Sequence, residues 1–292
     1  MKKSVILMGI ILVGTAVLGS VRVAAQDAPP TLDPSKKQQQ QQQQPQTKPA
    51  ETTTPLTLDS APPPVNAEED AAIKAFRDMP VTDVDKKNQT GEAFLQKYPQ
   101  SRYRAEVYSL LVRGYFVQGQ VDKLEAAGDK ELELQPNDAQ TLAIVGSVLP
   151  RAMNSSTPNP QQRLDKAEQY SKKALDLLPT LQKPAELSDE NFMRAKDQTS
   201  ALAYSGLGLV AFRRKKFAEA IPNFEQAVKL DPTPDPVNFY LLGVSDQQTS
   251  RYDDAVAAFG KCAAIPGGMQ GTCKTSAEEA KKLGATQLSA PK

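Results

Sequence analysis

At 292 residues the chain has room for one or two domains, and a net charge of +1 gives no electrostatic case for nucleic acid. It contains no histidine, which removes histidine-based triads, histidine general bases and most zinc sites together. Aromatic residues are only 6% with no tryptophan, a composition that suits stacked helices better than a large β-rich core.

The first 25 residues read as a targeting segment. Lys2 and Lys3 precede an apolar run from Val5 through Leu18, and the segment closes on Val23-Ala24-Ala25. Small residues at its last and third-last positions predict a signal peptide over 1–25, cleaved after Ala25. The alternative is an uncleaved anchor in the inner membrane, since Ser4 to Val21 is long enough to span. No cysteine stands near its end, so a lipoprotein anchor is not expected. Either way the remainder is expected outside the cytoplasm, in the periplasm of a bacterial envelope. Removing Lys2, Lys3 and Arg22 from the 35 basic residues leaves 32 against 34 acidic ones, a balance of −2. Residues 26–65 hold seven consecutive glutamines, Gln38 to Gln44, and the proline clusters Pro29-Pro30 and Pro62-Pro63-Pro64. Four large apolar residues (Leu32, Leu56, Leu58, Val65) cannot offset the chain entropy of such a stretch, which predicts a disordered linker.

From Asn66 the pattern becomes helical. Asn66-Ala-Glu-Glu69 has the form of a capping box, with helix expected to about Arg77 and an end at Met79-Pro80. Thr82 or Asp83 caps a second helix through Lys97, stopped by Tyr98-Pro99. A hairpin follows over 101–138, with Tyr108, Leu111, Tyr115, Leu134 and Pro136. The next, 139–180, starts at Asn137 or Asp138 and carries Leu142, Gly146 and Leu149, then Ala167, Ala174 and Pro179. Between its helices Ala152 to Pro160 has turn chemistry throughout and predicts an enlarged loop. Ser188 with Asp189 and Glu190 makes a further helix start, so the helix entering 201–234 should begin near Asp189. Over Ala201–Pro232 the apolar and small residues Tyr204, Leu207, Gly208, Phe217, Ala220, Phe224, Ala227 and Pro232 fall at helical period around the polar turn Arg213 to Lys216. Shifting that unit forward by 35 lands on Phe239, Leu242, Gly243, Tyr252, Ala255 and Phe259, with Cys262 in the place of Ala227. Ser276-Ala-Glu-Glu279 then reads as the cap of a short helix ended by Gly284.

The 201–232 pattern resembles the tetratricopeptide repeat, a helix–turn–helix unit of about 34 residues. The earlier hairpins match it at offsets of 62 and 96, which differ by that same period. The resemblance implies an all-α, right-handed α-solenoid of about five helical pairs plus a C-terminal capping helix, over 66–287. Its best repeats are 201–234 and 236–269, the degenerate ones 66–100, 101–138 and 139–180, and a disordered tail occupies 288–292. Val112, Gly128 and Glu131 depart from the pattern, predicting a looser second pair. The string Phe94 to Ser101 resembles hairpin ends in envelope proteins of this family.

Three functional readings compete. A repeat solenoid presents a concave groove lined by the first helix of each pair, which implies a protein–protein interaction module. The candidate groove residues are Ser109, Arg113, Phe116, Ser205, Leu209, Tyr240 and Val244, with a protein or peptide segment as ligand and self-association left open. The lysine/asparagine/arginine set with which the family's best-known clamp holds a C-terminal carboxylate is absent. The second reading is a membrane-tethered scaffold or assembly factor of an envelope complex, of outer-membrane assembly or cell-division type. An enzyme is disfavoured, because the carboxylates fall on solvated faces or caps and no phosphate-binding glycine loop is present. No catalytic residue, cofactor or metal is assigned. In an oxidising compartment Cys262 and Cys273 should form a structural disulfide; the alternative is a buried thiol at Cys262 and an exposed one at Cys273.

Overall fold

Each helix begins and ends where local chemistry allows. In the computed structural model, residues 66–289 are described; the segments 1–25 and 26–65 and the last three residues lie outside them. Asn66 caps α1 (Ala67–Asp78), its side chain accepting from the Glu68 and Glu69 amides at 3.1 and 3.3 Å. The capping box is only half made, because Glu69 turns away to accept from Ser101 Oγ at 2.5 Å. Asp83 caps α2 (Val84–Lys97). Then follow α3 (Arg104–Gln118), α4 (Val121–Leu134), α5 (Ala139–Arg151, capped by Asp138) and α6 (Pro160–Leu177). A short 3-10 turn, Leu178–Thr180, precedes α7 (Asp189–Arg213), which starts at the Ser188 cap as expected. The chain continues through α8 (Phe217–Leu230), α9 (Pro236–Gln248), α10 (Tyr252–Ala264) and α11 (Gln270–Ser289). Among the described residues these are five hairpins and a final helix, an all-α helical repeat.

Within a hairpin, close approach requires a small residue on one helix opposite a large one on the other. In α7/α8, a Cβ added to Gly208 would lie 2.7 Å from the Phe224 ring, and in α9/α10 one on Gly243 would lie 2.8 Å from Phe259. Both rings are fully buried, so each occupies the hollow that its glycine leaves. The α3/α4 pair solves the same problem in reverse. Val112 is fully buried where Gly208 would be, and Gly128 stands where Phe224 would be. A Cβ on Gly128 would meet Val145 of α5 at 2.6 Å. Exchanging large and small across the pair preserves the fill, with Val145 completing it, so looser packing was the wrong expectation.

The α5/α6 pair departs further. Ser171 of α6 holds the place of the aromatic, and a Cβ on either Gly146 or Gly206 would overlap its hydroxyl. With no ring in the way, α5 and α7 come together: a Cβ on Gly206 would stand 2.9 Å from the Gly146 carbonyl oxygen. The enlarged loop after α5 is fastened to the same seam, as Arg213 Nε donates to Pro150 O at 3.1 Å and Nη2 to Met153 O at 2.9 Å. First helices therefore touch in a row, α3 to α5 to α7 to α9. The second helices are bridged by long side chains instead. Lys166 reaches Asp129 at 2.7 Å, and Arg214, just past α7, reaches Asp165 and Glu168 of α6 at 2.6 and 2.5 Å. These pairs are partly buried bridges between neighbouring hairpins rather than freely exposed ion pairs.

The end of the stack corrects a second expectation. Ser276-Ala-Glu-Glu279 lies inside α11, which starts at Gln270, passes through Gly284 and takes in Leu288 and Ser289 of the expected tail. Gln270 Nε2 holds the Ala263 carbonyl at 3.0 Å and the Cys273 amide closes on Met269 at 2.9 Å, so the loop after α10 starts the helix well before its sequence cap suggests. Gly284 packs beside Tyr252 rather than terminating anything. Cys262 and Cys273 are bonded, with Cα atoms 5.8 Å apart and both residues fully buried.

Substitution and reduction both check this packing. Gly208→Ala should cost about 1–3 kcal/mol in urea unfolding, because the Phe224 ring must move. Gly260→Ala, on the open side of α10, should instead stabilise by about 0.5–1 kcal/mol. Reducing the Cys262–Cys273 bond should lower stability by about 3 kcal/mol on chain-entropy grounds. Its first consequence should be rapid amide exchange in α11, while α7/α8 keeps its protection.

Candidate functional site

The first-helix side is stitched by polar bonds that recur from one hairpin to the next. Ser109 Oγ reaches Asp138 at 3.5 Å, Arg113 Nη1 donates to Gln140 Oε1 at 2.6 Å, and Ser205 Oγ donates to Asn238 Oδ1 at 2.7 Å. Arg151, exposed at the end of α5, pairs with Asp235 at the start of α9 and reaches Ser205 at 3.4 Å. Hydroxyls and amides on this face are thus partly spent on holding register.

The expected groove residues divide accordingly. Ser109, Arg113 and Phe116 on α3 are half-buried, and so are Tyr240 and Val244 on α9, which also pack against the Ala255–Phe259–Ala280 cluster of α10 and α11. Ser205 and Leu209 are buried: they are 2% and 3% exposed, Ser205 bonded to Asn238 and Leu209 packed into the α7–α9 core. Tyr240 is further restricted by its ring contact with Phe259 at 5.6 Å. Between these two groups, α5 offers almost nothing. Every residue from Ala139 to Pro150 except Gln140 is buried, so the face is divided rather than continuous. A helix apolar on all sides is a helix buried on all sides. Val117, 41% exposed beside Phe116, was missed from sequence and belongs to the α3 patch.

The second-helix side carries two recesses, one of about 420 Å³ along α8, α9 and α10 and one of about 380 Å³ along α2, α3 and α4. They match position by position, Phe239 and Leu242 standing where Tyr108 and Leu111 do. The difference is at their depth. Tyr115 donates its hydroxyl to Glu92 at 2.5 Å, while the other recess has Asp246 in its place, 2% exposed and 3.4 Å from Arg251 Nε. Burial, reinforced by Asp254 and Glu225, pushes the Asp246 carboxyl up to about 6 despite Arg251.

The most anomalous group is Glu131. It takes the place of the small Ala227 of the 201–234 unit, is fully buried, and neither carboxylate oxygen has a hydrogen-bond partner. Burial first and the charge of Asp138 second push its carboxyl up to about 8, against smaller opposing effects of Thr141 and Arg113. The same burial pulls the Arg113 guanidinium down, opposed by Asp138, Glu106 and Glu131. Among the described residues, no cluster of histidine, cysteine, aspartate or glutamate is arranged to hold a metal. No helix among them is long and apolar enough to cross a membrane.

Antiparallel hairpins packed in sequence, with first helices in contact, define a helical-repeat protein. Residues 201–234 match the family model described as tetratricopeptide repeat, so the α7/α8 hairpin is a tetratricopeptide repeat within this helical-repeat chain. No curated protein matches it in sequence. Among solved structures it is similar to TTC0263, a thermophilic tetratricopeptide-repeat protein of Thermus thermophilus, at 17% identity and TM-score 0.45, covering 73% of this chain and 96% of that one. It is also similar to PilW, described as a widely conserved type IV pilus biogenesis factor, at 15% identity and TM-score 0.48, over 76% and 93% of the two chains. A third is a MamA RS-1 double mutant, at 14% identity and TM-score 0.43, over 77% and 99%.

The buried acids set a pH dependence whose sign follows from linkage. A carboxyl raised in the folded state favours folding fully below its unfolded value, and that advantage is lost as pH rises through the folded value. Asp246 acts up to about pH 6 and Glu131 up to about pH 8. With no histidine in the chain and both cysteines bonded, Glu131 dominates the range between them. Stability should therefore fall from pH 6 to pH 8, by at most about 1.4 kcal/mol per unit. Thermal melts of Glu131→Gln over that range should be nearly flat.

Proposed function

We propose that the chain is a non-catalytic interaction module that binds a protein segment across its first-helix side. The observation that carries this reading is the α3 patch, where Phe116 and Val117 expose apolar surface beside the half-buried Arg113. An apolar contact next to a fixed guanidinium is the composition expected of an interface centre rather than of inert surface. Tyr240 and Val244 on α9 offer a second, smaller foothold. Because α5 is buried and offers no side chains between them, the ligand is an extended or helical segment that touches down twice.

The setting is the periplasm, on the strength of the basic–apolar–small pattern of residues 1–25 and the pairing of Cys262 with Cys273, a bond that persists in oxidising compartments. Residues 26–65 then serve as the spacer between the export segment and the repeats.

Photoreactive residues introduced at Val117 and at Val244 should each give a discrete protein adduct in intact cells. The same residue at Lys172, exposed on the second-helix side, should give none. Adducts from Lys172 alone would place the interface on the other side, and adducts from none of the three would remove the binding reading.

A further inference from the structure

Glu131 sits where three helices meet. Its own helix α4 presents Gly128 one turn earlier, and that glycine admits Val145 and Thr141 of α5. The carboxyl is thereby enclosed between α3 and α5 with zero exposure and no partner on either oxygen. The charged groups that act on it are Arg113 from α3 and Asp138 at the cap of α5, and the Thr141 hydroxyl on α5, though not in hydrogen-bond geometry, also favours its ionised form; Arg113 in turn feels Asp138 and Glu106 as well as Glu131. Asp138 is already engaged, accepting from the Thr141 amide at 2.8 Å and facing Ser109 Oγ at 3.5 Å. Arg113 is different. Its one bond is from Nη1 to the neutral oxygen of Gln140, at 2.6 Å, which leaves its other donors uncommitted by any protein acceptor.

An ionised carboxylate enclosed without a partner is strongly disfavoured, and Arg113, the cation whose charge already acts on it, is the natural remedy. We propose that the folded chain holds Glu131 as the neutral acid, and that its ionisation draws Arg113 off Gln140 into the junction of α3, α4 and α5. Arg113 is also the polar member of the α3 patch. The device therefore withdraws a cation from the binding side as the surroundings become alkaline and returns it as they become acidic, which rests on the interaction reading above. The chain has no histidine to respond in this range, and Glu131, with its carboxyl near 8, takes that part.

The test needs no ligand, so its failure is separable from failure of the binding reading. Carbon-13 NMR of the full chain would follow the Glu131 carboxyl and the Arg113 guanidinium from about pH 5 to about pH 9, a range that brackets the raised carboxyl. Glu131→Ala would supply the assignment, since alanine is what the 201–234 unit carries at this place. The expected result is a carboxyl midpoint at least about two units above that of an exposed glutamate, with Arg113 resonances moving on the same midpoint. In Glu131→Ala the Arg113 transition should vanish. A Glu131 carboxyl already ionised at about pH 6 would overturn the proposal. So would one that titrates high while Arg113 stays still, since ionisation would then leave the Gln140 bond intact.

Discussion

Close crossing of the two helices of a hairpin calls for a small side chain opposite a large one, and the stack depends on whether and how each pair meets that rule. Gly208 with Phe224 and Gly243 with Phe259 meet it directly, each ring filling the hollow its glycine leaves. The α3/α4 pair meets it with the sizes exchanged, Val112 against Gly128, and needs Val145 from the next hairpin to complete the fill. At α5/α6 the ring is absent altogether. Gly146, Ser171 and Gly206 are all small, and the freed space is taken by drawing α7 against α5. The rule is met directly in two hairpins, with the sizes exchanged in one, and not met at α5/α6. This gives two regular repeats at one end and a compressed seam in the middle.

That seam decides what surface remains. Bringing α7 onto α5 buries the first-helix face of α5 almost completely, while Ser205 and Leu209 are taken up by packing with α8 and α9. What would have been a continuous groove becomes two patches, on α3 and on α9. Tight packing of α3, α4 and α5 explains why a glutamate in the place of Ala227 is costly to ionise. It is enclosed by α5 on one side and α3 on the other, and the cation that acts on it, Arg113, is engaged elsewhere.

The hairpins were legible in sequence because their determinants are local: caps at Asn66, Asp83, Asp138 and Ser188, and glycine opposite aromatic at fixed spacing. The cysteine pair was legible too, since each of the two thiols has only the other to bond with. What was not legible depended on neighbours distant in the chain. Gly128 read as a missing aromatic because Val145, which fills its space, lies in another hairpin. Ser276-Ala-Glu-Glu279 has a good cap sequence, but the loop after α10 had already started the helix at Gln270. Ser205 and Leu209 stand on the first-helix face by periodicity, and the packing of α8 and α9 against them buries them. Glu131 was visible as a departure, while its enclosure required the packing of α3 and α5.

The central claim is that the α5–α7 seam through Gly146, Ser171 and Gly206 holds the stack together. Amide hydrogen exchange of the full chain, resolved by helix, measures this directly. Protection should peak in α5 and in the half of α7 around Gly206, exceed that of α7/α8 beyond the seam, and decline towards α1 and α11. If α5 exchanged as fast as α1 while α9 and α10 stayed protected, the seam would not be the centre of the fold.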